Sequence, residues 1–362
     1  MVSVTESRLS AAGIRDTRIA KVSPLTTPTD LLEHLPLEPE SAALVIRGRD
    51  ETTAILNGED DRLLVVVGPC SVHDAEAGLD YARRLSAEAA RHSADLFVAM
   101  RVYFEKPRTT TGWKGLINDP HLDGSLDVDT GLRTARELLL QVLALGLPVG
   151  CEFLDPITPQ YISDTVVWSA IGARTTESQV HRQLGSGLSM PVGFKNRTDG
   201  NVQVAVDAVR AAAATHAFAG VDVTGVPAIL HTSGNPDGHV ILRGGSGEPN
   251  HGPDGVAAAL AQLRTAGLAE RLIIDASHGN SGKDYEQQPR VAAEIGEQVA
   301  GGSHAIVGVM LESFLVAGSQ NVDGDEPLTY GQSITDACMD WETTVDVLDG
   351  LAASVRARRA AS

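Results

Sequence analysis

The side chains best suited to chemistry crowd into one stretch. It reads Met100-Arg101-Val102-Tyr103-Phe104-Glu105-Lys106-Pro107-Arg108-Thr109-Thr110-Thr111-Gly112-Trp113-Lys114-Gly115-Leu116. Pro107 bars Lys106 from helical backbone angles, so the lysine sits in an extended turn past a strand end. Arg101, Lys106 and Arg108, beside hydroxyls and free N–H groups, suit a phosphate or a carboxylate. The plainer reading is a surface loop with scattered basic residues. The chain has 29 basic and 47 acidic side chains, a formal net charge of -18, so clustered cations are better read as placed for a ligand.

Such a stretch needs a scaffold, and the flanking sequence supplies a rhythm. Apolar runs recur at 63–67, 96–101, 148–153, 168–173, 190–195, 239–243, 272–276 and 305–311. Runs apolar on both faces mark buried parallel strands. Helical patterns fall at about 75–92, 130–145, 158–165, 200–214, 253–266, 288–300 and 339–357. Eight strands alternating with helices predict an α/β fold, a (β/α)8 TIM barrel over 61–362, with a doubly wound open sheet as the alternative. Residues 216–232 break the rhythm and read as an inserted β-hairpin. Residues 1–60 form an N-terminal extension too small for its own core. It holds a strand at Arg18–Val22, a helix with Thr29 or Asp30 as N-cap, and a helix from Glu38 to Asn57.

Active sites of such barrels lie at the C-terminal strand ends. In order, those ends carry Cys70, Arg101 with Lys106, Glu152, Arg174, Lys195, Arg243, His278 and Glu312, with Asp336 just beyond. Arg101, Lys106, Arg174, Lys195 and Arg243 could neutralise a phosphate and a carboxylate together. Cys70, His278, Glu312 and Asp336 mix soft and hard donors, which suits Mn, Fe, Co or Zn. Alone, Cys70 would read as a small buried hydrophobe and His278 as an ordinary loop histidine. Cys151 and Cys338 read as structural. Three cysteines make no disulfide framework and fit a reducing compartment. No apolar leader and no stretch approaching about 18 apolar residues is present, so a cytoplasmic, soluble protein is expected. The acidic balance argues against nucleic acid or an anionic membrane as partner.

At these residues the chain resembles the type I 3-deoxy-7-phosphoheptulonate (DAHP) synthases, from about residue 15 onward. Besides Met100–Leu116, the motifs are Gly68-Pro69-Cys70-Ser71-Val72-His73-Asp74, Gly172-Ala173-Arg174-Thr175-Thr176-Glu177-Ser178-Gln179 and Gly193-Phe194-Lys195-Asn196. Leu242-Arg243-Gly244-Gly245, Asp275-Ala276-Ser277-His278, Met310-Leu311-Glu312-Ser313 and Ser333-Ile334-Thr335-Asp336-Ala337-Cys338 complete them. Gly279 and Arg197 depart from the usual alanine and glycine.

The resemblance implies a shikimate-pathway enzyme joining phosphoenolpyruvate to erythrose 4-phosphate, with a divalent metal, Mn, Co or Fe. It makes Cys70, His278, Glu312 and Asp336 metal ligands. Arg101, Lys106, Glu152, Arg174, Lys195 and Arg243 become the phosphoenolpyruvate site, and Arg108 and Thr109 the erythrose 4-phosphate site. Lys106 is the expected proton donor, its pKa lowered by surrounding cations, and Glu152 the group that positions water. Other phosphoenolpyruvate–aldose condensations share the chemistry, and an idle barrel regulating a partner is the rival of another class. No metal or substrate side chain is missing, which weighs against the latter. The resemblance further implies an effector pocket for an aromatic amino acid at Pro159, Gln160, Leu188, Ser189, Phe218 and Gly220. Glycine at 220 leaves room for a para hydroxyl, so tyrosine is favoured there. The strand at Arg18–Val22 lacks a partner in a closed barrel, which predicts a homo-oligomer, a dimer or a tetramer.

Overall fold

The computed structural model describes residues 16–322 and 327–361. Eight strands close a barrel: β1 (Leu63–Gly68), β2 (Leu96–Arg101), β3 (Val149–Glu152), β4 (Trp168–Ile171), β5 (Val192–Lys195), β8 (Gly238–Leu242), β9 (Leu272–Asp275) and β10 (Ile306–Glu312). All eight ladders are parallel, and β1 seals the ring by pairing with both β2 and β10. Seven of these strands are buried along their whole length, and the eighth, β8, is buried from its second residue on, which is why their sequences are apolar on both faces. The expected closed (β/α)8 barrel is therefore the fold, and the open sheet is excluded.

The outer helices are α3 (Ala75–Arg91), α4 (Val128–Ala144), α5 (Pro159–Ile162), α6 (Gln179–Gly187), α7 (Gln203–Ala212), α8 (Pro253–Thr265), α9 (Gln288–Ala300) and α10 (Trp341–Ala361). Helix α6 has no counterpart among the expected helices. It is short, carries two glycines and buries only Leu184, Gly185 and Ser186 of its nine residues. That leaves too little periodicity to read. A small parallel pair, β11 (Val316–Ser319) with β12 (Gln332–Ser333), also went unanticipated; its register shifts within four residues.

The extension holds α1 (Pro28–His34) and α2 (Pro39–Asn57). Thr27 caps α1, not Thr29 or Asp30: its Oγ1 accepts the Asp30 N–H at 3.2 Å, and Pro28 occupies the first helical position. Leu31, Val45, Ile55 and Leu56 are buried in the same core as the barrel. Arg18–Val22 forms no strand in the single chain and lies exposed. The inserted hairpin is β6 (His216–Val221) paired antiparallel with β7 (Pro227–Thr232). No helix of the described residues is long and apolar enough to cross a membrane.

Candidate active site

One mouth gathers most of the expected residues. Arg101, Lys106, Arg108, Glu152, Arg174, Lys195, Arg243, His278 and Asp336 line a single cavity at the C-terminal strand ends. Strand-end turns place them there. Gly68, with the ideal position of a Cβ only 2.5 Å from the Arg101 carbonyl oxygen, lets the β1 end lie flat against β2. At the end of β4, Gly172 leaves the space that Glu152 fills, since a Cβ there would sit 2.3 Å from Glu152 Oε1.

The acidic donors converge. Cys70 Sγ and carboxylate oxygens of Glu312 and Asp336 all lie within 4.8 Å of one another. His278 does not complete that group, but its Nε2 stands 3.8 Å from Glu312 Oε1. A thiol, two carboxylates and a nearby imidazole nitrogen fit a divalent transition ion by type and convergence. Among the described residues this is the single such cluster.

Cations interleave with the donors. Lys106 Nζ lies 3.0 Å from Cys70 Sγ, and Arg101 donates to Glu312 Oε1 at 2.9 Å and to the Pro69 and Cys70 carbonyls at 3.1 Å. Arg101 also sits 3.6 Å over the Tyr103 ring. It is thus built into the floor. Lys195 donates to Asp275 at 2.8 Å. Arg243 is almost fully buried, and burial with the nearby Arg174 charge lowers its pKa. Asp275 opposes that lowering, and Arg174 and Arg243 line the same cavity, where an anion would be neutralised by both.

Burial pushes the Cys70 thiol up, Glu312 pushes it further, and Lys106 opposes both. Burial also raises Glu312 and Asp336, but the charges around them, Lys106 and Arg101 among them, bring both carboxyls below their usual range. Lys106 departs from expectation. Burial alone lowers it, as neighbouring Arg101 does, but Cys70 and Glu312 outweigh these and its pKa is raised. The expected lowering counted the cations and missed the acids that face the lysine.

Thr109 is exposed and is absent from the cavity lining, whereas Thr198, Lys283 and Thr335 join that lining without having been singled out. Lys283 could have been found as the next cation after His278 in the same strand-end loop. Arg197 is tied to Glu177 at 2.8 Å and Asp199 at 3.1 Å on the rim. Cys338, expected to be structural, accepts the Cys70 N–H on Sγ at 3.3 Å and so holds the thiol loop. The effector candidates lie elsewhere, around the hairpin. Gln160 Nε2 donates to the Val221 carbonyl at 3.0 Å, and Asn235 Nδ2 to that of Leu188 at 3.1 Å.

A barrel whose mouth sets several cations beside a cluster of metal-type donors defines an enzyme for substrates with more than one anionic group. Residues 37–349 match the DAHP synthetase I family. The chain is 56% identical over 360 residues to the phospho-2-dehydro-3-deoxyheptonate aldolase of Corynebacterium glutamicum, covering 98% of each. It is 54% identical over 344 residues to the Phe-sensitive enzyme of Escherichia coli K12, covering 95% of this chain and 98% of the relative. A Trp-sensitive relative from Enterobacter agglomerans is likewise 54% identical, over 341 residues, covering 94% of this chain and 98% of that one. The solved structure of the Francisella tularensis SCHU S4 enzyme superposes with a TM-score of 0.92 at 50% identity, over 94% of this chain and 99% of that one. The chain belongs to the DAHP synthetase I family. Its activity is the family's, condensation of phosphoenolpyruvate with erythrose 4-phosphate to 3-deoxy-D-arabino-heptulosonate 7-phosphate and phosphate, the first step of the shikimate pathway.

Proposed function

We propose that the mouth residues divide this reaction as follows. Arg174, Arg243, Lys195 and Arg101 neutralise the phosphate and carboxylate of phosphoenolpyruvate. Arg108 and Thr109 take the phosphate of erythrose 4-phosphate. Cys70, His278, Glu312 and Asp336 hold a divalent ion, Mn, Co or Fe. When bound, that ion supplies Lewis-acid polarisation of the aldehyde. C3 of phosphoenolpyruvate bonds to the aldehyde carbon, the carbonyl electron pair becomes an alkoxide, and positive charge develops at C2. Lys106, whose Nζ lies 3.0 Å from Cys70 Sγ, donates a proton to the alkoxide. Glu152 orients the water that adds at C2, after which phosphate leaves. The observation that carries this reading is the convergence of three acidic donors with Lys106 in the cationic mouth.

The test is phosphate release from phosphoenolpyruvate with four- and five-carbon aldose phosphates. Erythrose 4-phosphate should be turned over fastest. Chelation should remove activity, Mn, Co or Fe should restore it, and Cys70→Ala should stay inactive at any metal concentration. Full turnover by a stripped sample holding less than about a tenth of an equivalent of metal sinks the metal role.

We also propose an effector site for an aromatic amino acid at Pro159, Gln160, Leu188, Ser189, Phe218 and Gly220, with tyrosine preferred. The Phe- and Trp-sensitive relatives support the effector class. Contacts of α5, through Gln160 to Val221, and of α6, through Ser186 to Thr232, with the hairpin support a shared pocket. A Cβ on Gly220 would meet Leu230 Cδ1 at 2.7 Å, so serine there would push the Leu230 tip and shrink the pocket. Titration with tyrosine, phenylalanine and tryptophan should show tyrosine inhibiting the wild type most tightly, with Gly220→Ser shifting preference to phenylalanine. Tighter inhibition of the wild type by phenylalanine ends the tyrosine assignment; no inhibition by any of the three ends the pocket. We propose that the acting form is a cytoplasmic homo-oligomer.

A further inference from the structure

Asp275 closes β9 and has no exposed surface, yet none of the roles above uses it. Its Oδ1 accepts the Ser277 N–H at 2.9 Å and the Ser277 Oγ–H at 2.6 Å. Its Oδ2 accepts Lys195 Nζ at 2.8 Å and lies 3.0 Å from His278 Nδ1. These contacts occupy about all four lone-pair sites of a carboxylate, which leaves none for a substrate or an ion. Asp275 therefore acts through its neighbours.

Those neighbours belong to different halves of the site. Ser277 Oγ lies 2.6 Å from His278 Nδ1 but has already given its only hydrogen to Asp275. Both groups facing Nδ1 are then acceptors, so Nδ1 carries the hydrogen. Nε2 keeps its lone pair, on the side facing Glu312. This is the carboxylate–histidine arrangement that orients a metal-binding imidazole. The His278 backbone is left-handed, with φ 55, and Asn280 Nδ2 ties the strand end by donating to the Asp275 carbonyl at 2.8 Å. The same carboxylate oxygen holds Lys195, which ends β5 two strands away around the barrel.

We propose that Asp275 is a positioning residue that couples metal binding to phosphoenolpyruvate binding, by fixing the tautomer of His278 and anchoring Lys195 with one carboxylate. The proposal rests on the assignment of His278 to the metal and Lys195 to phosphoenolpyruvate. An anion drawing on Lys195 shifts its hold on Asp275 and so the seating of His278. The linkage is reciprocal, so each ligand changes the other's affinity by the same factor.

The experiment measures Mn2+ affinity by competition with a chromophoric chelator, with and without phosphoenolpyruvate, on the full-length chain. Asp275→Asn preserves volume but presents an amide N–H to Lys195 or His278. It should weaken Mn2+ binding about 10- to 100-fold, raise KM for phosphoenolpyruvate, and bring the effect of phosphoenolpyruvate on Mn2+ affinity toward none. Ser277→Ala leaves the Lys195 contact intact and removes one acceptor from Nδ1. It should weaken Mn2+ binding while KM for phosphoenolpyruvate stays at the wild-type value, a split that general loosening of the fold would not produce. A folded Asp275→Asn with wild-type Mn2+ affinity overturns the inference. If that variant does not fold, a wild-type Mn2+ affinity that saturating phosphoenolpyruvate leaves unchanged overturns it instead. Cys70→Ala in the same titration separates the two levels. Wild-type Mn2+ affinity there removes the metal-site reading itself, whereas lost affinity there with retained affinity in Asp275→Asn removes only the role of Asp275.

Discussion

Glu105 sits one residue before the proposed acid and is almost fully buried. Burial, with the charge of Asp155 next, pushes its carboxyl up to about 8, and the Asp155 N–H only partly opposes this. The folded protein therefore binds a proton there that the unfolded chain releases near its ordinary value. Stability from this group is present at low pH and is lost as pH rises through about 8. At about 1.4 kcal/mol per pKa unit the effect is a few kcal/mol at most. Glu105→Gln should flatten the fall in melting temperature between pH 5.5 and about 8. An unchanged slope would mean that Glu105 is ionised and satisfied in the native state. At this scale residue types were legible in the sequence, because cations and metal-type donors at strand ends have few other reasons to be there. Partnerships were not. Lys195 and Asp275 are eighty positions apart, and the raised pKa of Lys106 depends on acids contributed by other strands.

The loop after β2 is held between its strand and a helix. Lys106 N–H donates to the Lys114 carbonyl at 2.8 Å, folding Pro107–Trp113 outward. Gly115, with φ 120, passes so close that a Cβ would sit 1.9 Å from the Phe104 carbonyl oxygen. Two residues on, Ile117 lies against α4, where a Cβ on Gly131 would come within 2.1 Å of the Ile117 oxygen. A backbone carbonyl cannot swing aside as a side-chain tip can. Gly131→Ala should therefore displace α4 from the loop and cost about 1–3 kcal/mol. It should also raise KM for erythrose 4-phosphate, since Arg108 rides on that loop. Calorimetry and steady-state kinetics check both; an unaltered melting temperature would show that α4 yields freely. Such contacts explain what was readable among elements. Strands buried on both faces announce themselves, and so does a hairpin whose short runs break the strand–helix rhythm on either side of Thr224-Gly225. The start of α1 was misplaced because Thr27, Thr29 and Asp30 can all cap, and Pro28 decides among them. Helix α6 escaped because its burial is limited to three small or apolar side chains.

Over the whole molecule, the extension and the hairpin form one docked unit. Thr29 N–H donates to the Val223 carbonyl at 2.8 Å, Thr26 Oγ1 to Asp129 at 3.0 Å, and Tyr161 Oη to the Thr26 carbonyl at 2.8 Å. That docking leaves Ile19, Val22, Val223, Val226 and Ile229 more than half exposed. A two-stranded hairpin also has two unpaired edges, and the exposed, alternating Arg18–Val22 segment joins no strand of its own chain. Apolar side chains grouped beside open edges mark a protein–protein surface. We propose that the partner is a second copy of the chain, its Arg18–Val22 segment adding to the hairpin. Light scattering should then give twice or four times the 38.0 kDa of one chain. Such an association would be apolar while each chain carries a net charge of -18, so salt that screens the repulsion should strengthen it. Ile229→Glu, with its side chain outward, should dissociate the assembly and leave the barrel folded. Deleting residues 1–25 should do the same and blunt inhibition by aromatic amino acids while turnover persists. A monomer at micromolar concentration in high salt would refute this surface, and a dimer that survives Ile229→Glu would move the interface elsewhere.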